Sequence, residues 1–198
     1  QTIQHLQEAD FSCKQFSVEI FGRFFTQSLY RSALKSGKTG ADISTPVFIN
    51  KLLVALSQPK RGELIYDPCV GQGNTFIEFY RSSSRLQFIG QELDFNVWAI
   101  AQMNLWANGV YDADILCQNS LFETPYDFPP ADIAVGHFPF GLFVDTQTVK
   151  EQPYIAIPFA VSNTPSLDGN GLFIQRMLYQ LHEKGKACIV LPLQVTYK

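Results

Sequence analysis

The chain has 198 residues, 46% of them hydrophobic and 17% charged, enough for one domain with a real core and too apolar for a disordered chain. No apolar run reaches bilayer length, and Gln1-Thr2-Ile3-Gln4-His5 has neither the basic start nor the apolar stretch of a signal peptide, so a cytoplasmic location is expected. The formal charge of −3 is unevenly spread: residues 1–62 carry eight Lys/Arg against four Asp/Glu, and residues 63–198 carry seven against fourteen. Leu86 to Val149 contains no Lys or Arg. A surface that grips DNA needs cations to displace counterions from phosphates. Residues 63–198 are therefore expected to hold DNA poorly by themselves, leaving the grip to the N-terminal segment, to another part of a longer chain or to a partner.

The first third reads as helical, with Phe16, Ile20, Phe24 and Phe25 at helical spacing beside Phe21 and Leu29, up to a break at Ser36-Gly37-Lys38-Thr39-Gly40. That aromatic stripe reads as a core or partner-facing face. A second helix is predicted to start at Ser44-Thr45-Pro46, with Thr45 as N-cap and Pro46 in the first turn, and to stop before Pro59. From Glu63 onward short apolar strands alternate with helices. Strands are expected at Leu64–Tyr66, Leu86–Gly90, Ile115–Cys117, Ile133–Val135 and Ala187–Leu191. Helices are expected at Thr75–Arg81, at Asn96–Asn108 with Gly109 ending it, and at Leu172–Lys184 ending at Gly185. This order predicts an α/β domain, a largely parallel sheet covered by helices on both faces, over residues 41–198, with a helical segment over 1–40. Such sheets bind ligands at the carboxyl ends of their strands. Cys13, Cys69, Cys117 and Cys188 lack any metal-type spacing and are expected to be reduced, buried thiols. Trp98 and Trp106 lie on one helix and read as packing residues, and His5 and His182 as surface residues.

The first strand runs into Asp67-Pro68-Cys69-Val70-Gly71-Gln72-Gly73. Two glycines one residue apart let a backbone turn tightly and approach a ligand, although a plain strand-to-helix turn explains them equally well. The second strand ends at Glu92, nineteen residues beyond Gly73, where a carboxylate can accept both hydroxyls of a ribose. NAD and S-adenosylmethionine both satisfy this pair of features. Asp67 favours the second, because a carboxylate there would repel a pyrophosphate and attract the cationic methionine end. Phe76 stands where a dinucleotide fingerprint has its third glycine.

Asp67-Pro68-Cys69-Val70-Gly71-Gln72-Gly73 resembles the DPxxGxG motif of N6-adenine DNA methyltransferases, closest to the modification subunits of type I restriction-modification systems. Gly90-Gln91-Glu92, Met103-Asn104-Leu105 with Gly109, the upstream Thr45-Pro46 and the segment Leu172–Pro192 are similar to further elements of that family, in the same order. The resemblance covers Gly40 to Pro192. It implies a Rossmann-like methyltransferase fold with S-adenosylmethionine as cofactor. Asp67, Pro68, Gly71 and Gly73 would hold the methionine part, Glu92 the ribose, and Asn119 and Ser120 the adenine. Thr45 and Pro46 would close one side. It implies DNA as substrate, reached through other subunits or domains, with specificity and restriction subunits as partners and no metal or membrane. Modification subunits of that family have a helical domain before this region and more sheet after it, so the sequence reads as a fragment or a reduced homologue.

The family's catalytic motif, Asn/Asp-Pro-Pro-aromatic after the fourth strand, positions an oxygen acceptor against the target amino group and stacks a ring on the flipped base. Here the matching stretch is His137-Phe138-Pro139-Phe140. His137 offers one acceptor nitrogen in place of an oxygen, and Phe138 loses the fixed φ of proline. The family usually has Asp where Asn119 stands. Two readings follow: an adenine-N6 methyltransferase with a variant motif, or a cofactor-binding or scaffolding module without transfer chemistry in a restriction-type complex. A dehydrogenase is a distant third.

Overall fold

A computed structural model describes residues 17–35, 45–83, 85–123, 128–155 and 166–193. Its centre is a parallel sheet of five strands: β1 (Leu64–Asp67), β2 (Gln87–Glu92), β3 (Ala113–Cys117), β4 (Ala131–Gly136) and β7 (Leu181–Ile189), in the order β3-β2-β1-β4-β7. The helices are α1 (Val18–Lys35), α2 (Val47–Ser57), α3 (Asn74–Ser82), α4 (Phe95–Ala107), α5 (Thr146–Val149) and α6 (Gly169–Gln180). The five strands expected from the sequence are present, and the sheet is parallel throughout. A small antiparallel pair, β5 (Phe143–Asp145) with β6 (Ser166–Asp168), was not legible in the sequence, because each strand is only three residues long.

Period-two alternation divides the sheet into two apolar layers. Ile65, Phe88, Ile133 and Val135 point into one cluster with Phe76, Ile77 and Leu105. Leu64, Tyr66, Ile89 and Ala134 point into the other, with Leu172, Phe173 and Met177 of α6. Burial on both faces explains why these strands read as continuous apolar runs. The chain runs from β1 out to β3, then returns to place β4 on the other side of β1. The switch in strand order therefore falls between β1 and β4, where open α/β sheets bind ligands.

Several local expectations are corrected. Thr45 does not cap α2: the N-cap is Pro46, with no side-chain cap bond, and the Thr45 hydroxyl is engaged with His137 instead. The last helix starts earlier and ends earlier than predicted. Asp168 accepts from the Asn170 amide and starts α6 at Gly169, and the chain passes into β7 at Leu181. Gly185 is a strand residue, not a helix end; a Cβ there would lie 3.1 Å from the Ala131 carbonyl oxygen, so glycine permits the close approach of β7 to β4. Cys69, Cys117 and Cys188 are free, as expected, yet none is fully buried and Cys117, ending edge strand β3, is exposed. Trp98 donates to the Ile115 carbonyl at 2.7 Å, whereas Trp106 is exposed. Ile20, Phe21 and Phe24 are exposed on α1, which makes this the outward-facing option for the stripe; Phe16, Cys13, His5 and the break at 36–40 lie outside the described residues. His182 is half-exposed and pairs with Asp132 at 2.9 Å.

Gly109 ends α4 as expected, at φ +84°, with the Gly109 and Val110 amides donating to the Trp106 and Leu105 carbonyls. Helix α1 docks on α4 through Thr26, whose hydroxyl meets Asn104 Oδ1 at 2.8 Å, and through Asn108. Gly22 makes the crossing possible, since a Cβ there would lie 2.5 Å from Asn108 Oδ1 and 2.7 Å from the Ala107 carbonyl oxygen. We expect Gly22→Ala to destabilise the domain by about 1–3 kcal/mol through forced separation of the helices. Thermal unfolding checks this: a fall in Tm of roughly 3–10 °C is expected, and an unchanged Tm would contradict the packing described.

Candidate cofactor-binding and active site

Asp67 closes β1 with 2% of its surface exposed. Its carboxylate accepts the Cys69 amide at 2.8 Å, and no Lys, Arg or His pairs with it among the described residues. Burial pushes its pKa up to about 7, and the neighbouring charge of Glu92 adds to the rise against the opposing pull of the Cys69 amide. The chain then turns through Gly71 (φ +56°) and Gly73 (φ +79°), a conformation that costs little only for glycine. Gly73 sits on Leu105, whose Cγ would lie 3.1 Å from an added Cβ. Asn104 donates to the Gln72 carbonyl at 2.8 Å. Asn104 and Leu105 of α4 thus form the underside of the glycine turn, while Met103 is exposed.

Glu92 ends β2 and spans two loops. One carboxylate oxygen accepts the Gly71 amide at 2.9 Å and the other accepts the Asp94 amide at 3.0 Å. Asn119, after β3, spends its Oδ1 on the Leu121 amide at 3.0 Å, while Ser120 is buried. A cleft of about 580 Å³ opens here, lined by Pro68, Cys69, Glu92, Asn119, Ser120 and Pro139, among others. Gln118 Oε1, on the same wall, is buried without a hydrogen-bond partner among the described residues. A second cavity, of about 460 Å³, lies between α1, the start of α2 and the glycine turn, with Thr45, Pro46, Asn50, Gln72 and Asn74 in its lining. The structure therefore gathers Pro68, Glu92, Asn119, Ser120 and Pro139 around one cleft and places Thr45 and Pro46 at the other. Asp67, Gly71 and Gly73 line neither.

The variant motif links the two regions. His137 Nδ1 lies 3.1 Å from the Thr45 hydroxyl, and the His137 ring meets Phe140 edge-on at 5.4 Å. Partial burial lowers the His137 pKa, so the imidazole is neutral at neutral pH. Phe140 is 46% exposed and free to stack on a partner ring. Phe138, in contrast, is 1% exposed and stacks on Phe173 at 4.7 Å with 16° between the rings. It belongs to the core beneath the loop.

The sequence did not reveal Arg176 or Tyr154. Tyr154 donates to the Leu121 carbonyl at 2.6 Å, and burial pushes its pKa up to about 12. Arg176 is the lone cation in the apolar run of α6, three residues from Phe173 and four from Leu172 on the inward face. A charge on an apolar helix stripe was the available signal.

Three comparisons bear on this arrangement. The chain overlays on the methyltransferase subunit of a type I restriction-modification system from Streptococcus thermophilus with a TM-score of 0.79, at 20% identity over 99% of this chain and 43% of that one. The fold is thus the Rossmann-like one of class I S-adenosylmethionine-dependent methyltransferases. Residues 16–198 match the family model for N-6 DNA methylases, and the chain belongs to that family. The Haemophilus influenzae type I restriction enzyme HindI methylase subunit is 27% identical over 87% of this chain and 40% of its own length. The Methanocaldococcus jannaschii MjaVIII methylase subunit is 31% identical over 63% of this chain and 23% of its own. The chain thus spans well under half the length of these relatives.

The energetics of Asp67 can be checked directly. Burial holds its folded pKa at about 7, well above the ordinary carboxylate range, so the folded protein holds this proton more tightly than the unfolded chain. Stability then falls as pH rises from about 4 to about 7, by up to roughly 4 kcal/mol, and stays low above that. We expect Asp67→Asn to unfold at a higher temperature than the natural chain at pH 8, by roughly 5 °C or more, with the difference closing toward pH 4. Thermal melts across this range measure it; a destabilised Asp67→Asn at pH 8 would contradict the burial described.

Proposed function

We propose that this chain is the cofactor-binding core of an S-adenosylmethionine-dependent DNA adenine-N6 methyltransferase of the restriction-modification type. The observation that carries the reading is Asp67: a buried carboxylate with no cation paired to it among the described residues, beside a second carboxylate at the ligand-binding end of the sheet. Such a pair is stabilised by a cationic ligand group, which a methionine ammonium supplies and a pyrophosphate does not. The donor set fits the cofactor. Asp67 would face the ammonium, the Gly71–Gly73 turn would lie against the methionine backbone, and Glu92 would accept the ribose hydroxyls. Asn119, Ser120 and the unpartnered Gln118 Oε1 would meet the adenine edge.

When bound, the cofactor supplies a methyl group on a sulfonium, ready for attack by the target nitrogen. His137 would then act on the target base. With its proton on Nδ1, donated to Thr45, Nε2 remains as an acceptor for a hydrogen of the amino group. That hydrogen bond raises electron density on the attacking nitrogen. Phe140 would stack on the flipped base, with Pro139 shaping the loop between them. DNA would be held by other parts of the complex, since residues 63–198 carry seven cations against fourteen anions. Specificity and restriction subunits are the partners this reading requires. No helix among the described residues is long and apolar enough to cross a membrane.

The scaffold reading is favoured by one observation, the burial of Phe138 where the family has a proline at the reaction centre. Two measurements follow, the first testing the cofactor site and the second separating the readings. Calorimetric titration with S-adenosylhomocysteine is expected to show binding that Glu92→Ala abolishes; no binding by the natural chain would refute the cofactor site. Methylation of adenine-containing DNA by the complex is expected to rise by about tenfold or more in His137→Asn, which restores the oxygen acceptor. Phe138 is best left untouched, because replacing it empties core volume at a cost of about 3–5 kcal/mol.

A further inference from the structure

A buried network on the far side of the strand ends joins the three segments that form the cleft. Tyr66 precedes Asp67, Gln91 precedes Glu92, and the Ser120 carbonyl belongs to the loop after β3. Tyr66 donates to Gln91 Oε1 at 3.0 Å. Gln91 donates through Nε2 to the Glu123 carbonyl at 2.9 Å. Arg176 of α6, with no exposed surface, reaches all three segments. Its Nε donates to the Ser120 carbonyl at 3.1 Å and its Nη2 to Gln91 Oε1 at 3.4 Å. Its guanidinium lies 5.2 Å from the centre of the Tyr66 ring. Gln180 Oε1 accepts from both Nη atoms, at 3.1 and 3.2 Å.

These partners are all neutral. Among the described residues no carboxylate forms an ion pair with Arg176. A buried cation held only by carbonyl oxygens, amide oxygens and an aromatic face is expensive, and its donors must be satisfied together. Because side chains alternate along a strand, Tyr66 and Gln91 face α6 while Asp67 and Glu92 take the opposite sense. Fixing the first pair fixes the second. One rigid fork with five donors holds acceptors from several segments in a fixed geometry, whereas an ammonium offers three donors on a flexible stem.

We propose that Arg176 is a positioning residue for the cofactor cleft, setting the spacing between the ends of β1 and β2 and the Asn119-Ser120 loop from beneath without touching the ligand. This rests on reading that cleft as the cofactor site. Hydrogen-exchange mass spectrometry on the full chain, paired with S-adenosylhomocysteine titration, tests it in Arg176→Met and Arg176→Lys. In folded Arg176→Met we expect amides of residues 118–123 to exchange about tenfold faster or more, with α3 and β4 unchanged, and cofactor-product affinity to fall about tenfold or more. Arg176→Lys should show the same local pattern at smaller amplitude, and it carries the test should Arg176→Met fail to fold. Unchanged exchange over 118–123 would overturn the proposal. So would faster exchange spread evenly over the domain, or a locally loosened loop with unaltered affinity. A natural chain that binds no S-adenosylhomocysteine would instead remove the cofactor reading, and the exchange data would still decide whether Arg176 holds the loop.

Discussion

Asp67 sits at the point on which the proposed cofactor site depends. It ends β1, the strand beside the switch in strand order, and it is buried with no cation paired to it among the described residues. The fold tolerates this because a backbone amide meets one oxygen and because the group can take up a proton near neutrality. This stability penalty, held at the end of the sheet where α/β folds bind ligands, is what supports the proposed site for a positively charged group. The surrounding geometry follows from the same strand end. Gly71 and Gly73 turn the chain away from Asp67, and Glu92 of the neighbouring strand ties down the Gly71 amide. Asn104 and Leu105 support the turn from below.

Rigidity around that point comes from polar groups buried where apolar ones would be cheaper. Thr26, Asn104 and Asn108 link α1 to α4 and to the glycine turn. Arg176, Gln91 and Tyr66 link α6 to the sheet. Satisfied networks of this kind specify one arrangement of several segments, which an apolar contact alone does less well. The variant motif is held similarly: the bond between Thr45 and His137 connects the segment before α2 to the loop after β4.

Much of this was readable from residues alone. The alternation of short apolar strands with helices gave the parallel sheet, and Asp67, the Gly71–Gly73 turn and Glu92 stood out because their chemistry sits at strand ends. Thr45 was misread, because a Ser/Thr before proline and a helix carries the same pattern whether its hydroxyl caps the helix or bonds a distant side chain. Phe138 could not be separated from Phe140 in sequence, since only packing decides that one ring is enclosed by Phe173 while the other faces outward. The end of α6 was missed because residues 181–185 continue a helical pattern, while the Leu181 pairing to Ala131 and the His182–Asp132 contact are made across the sheet. Arg176 joins segments 56 and 85 residues away, a relation no local pattern records.

In the proposed function, Asp67, Glu92 and the glycine turn form one cationic-cofactor site at the carboxyl ends of β1 to β3. A crystal structure of the chain with S-adenosylhomocysteine tests it most directly. We expect the ribose hydroxyls on Glu92, the ammonium on the Asp67 side of the turn and the adenine against Asn119-Ser120. Ligand density in the cavity beside α1, with Glu92 still holding only the Gly71 and Asp94 amides, would contradict it.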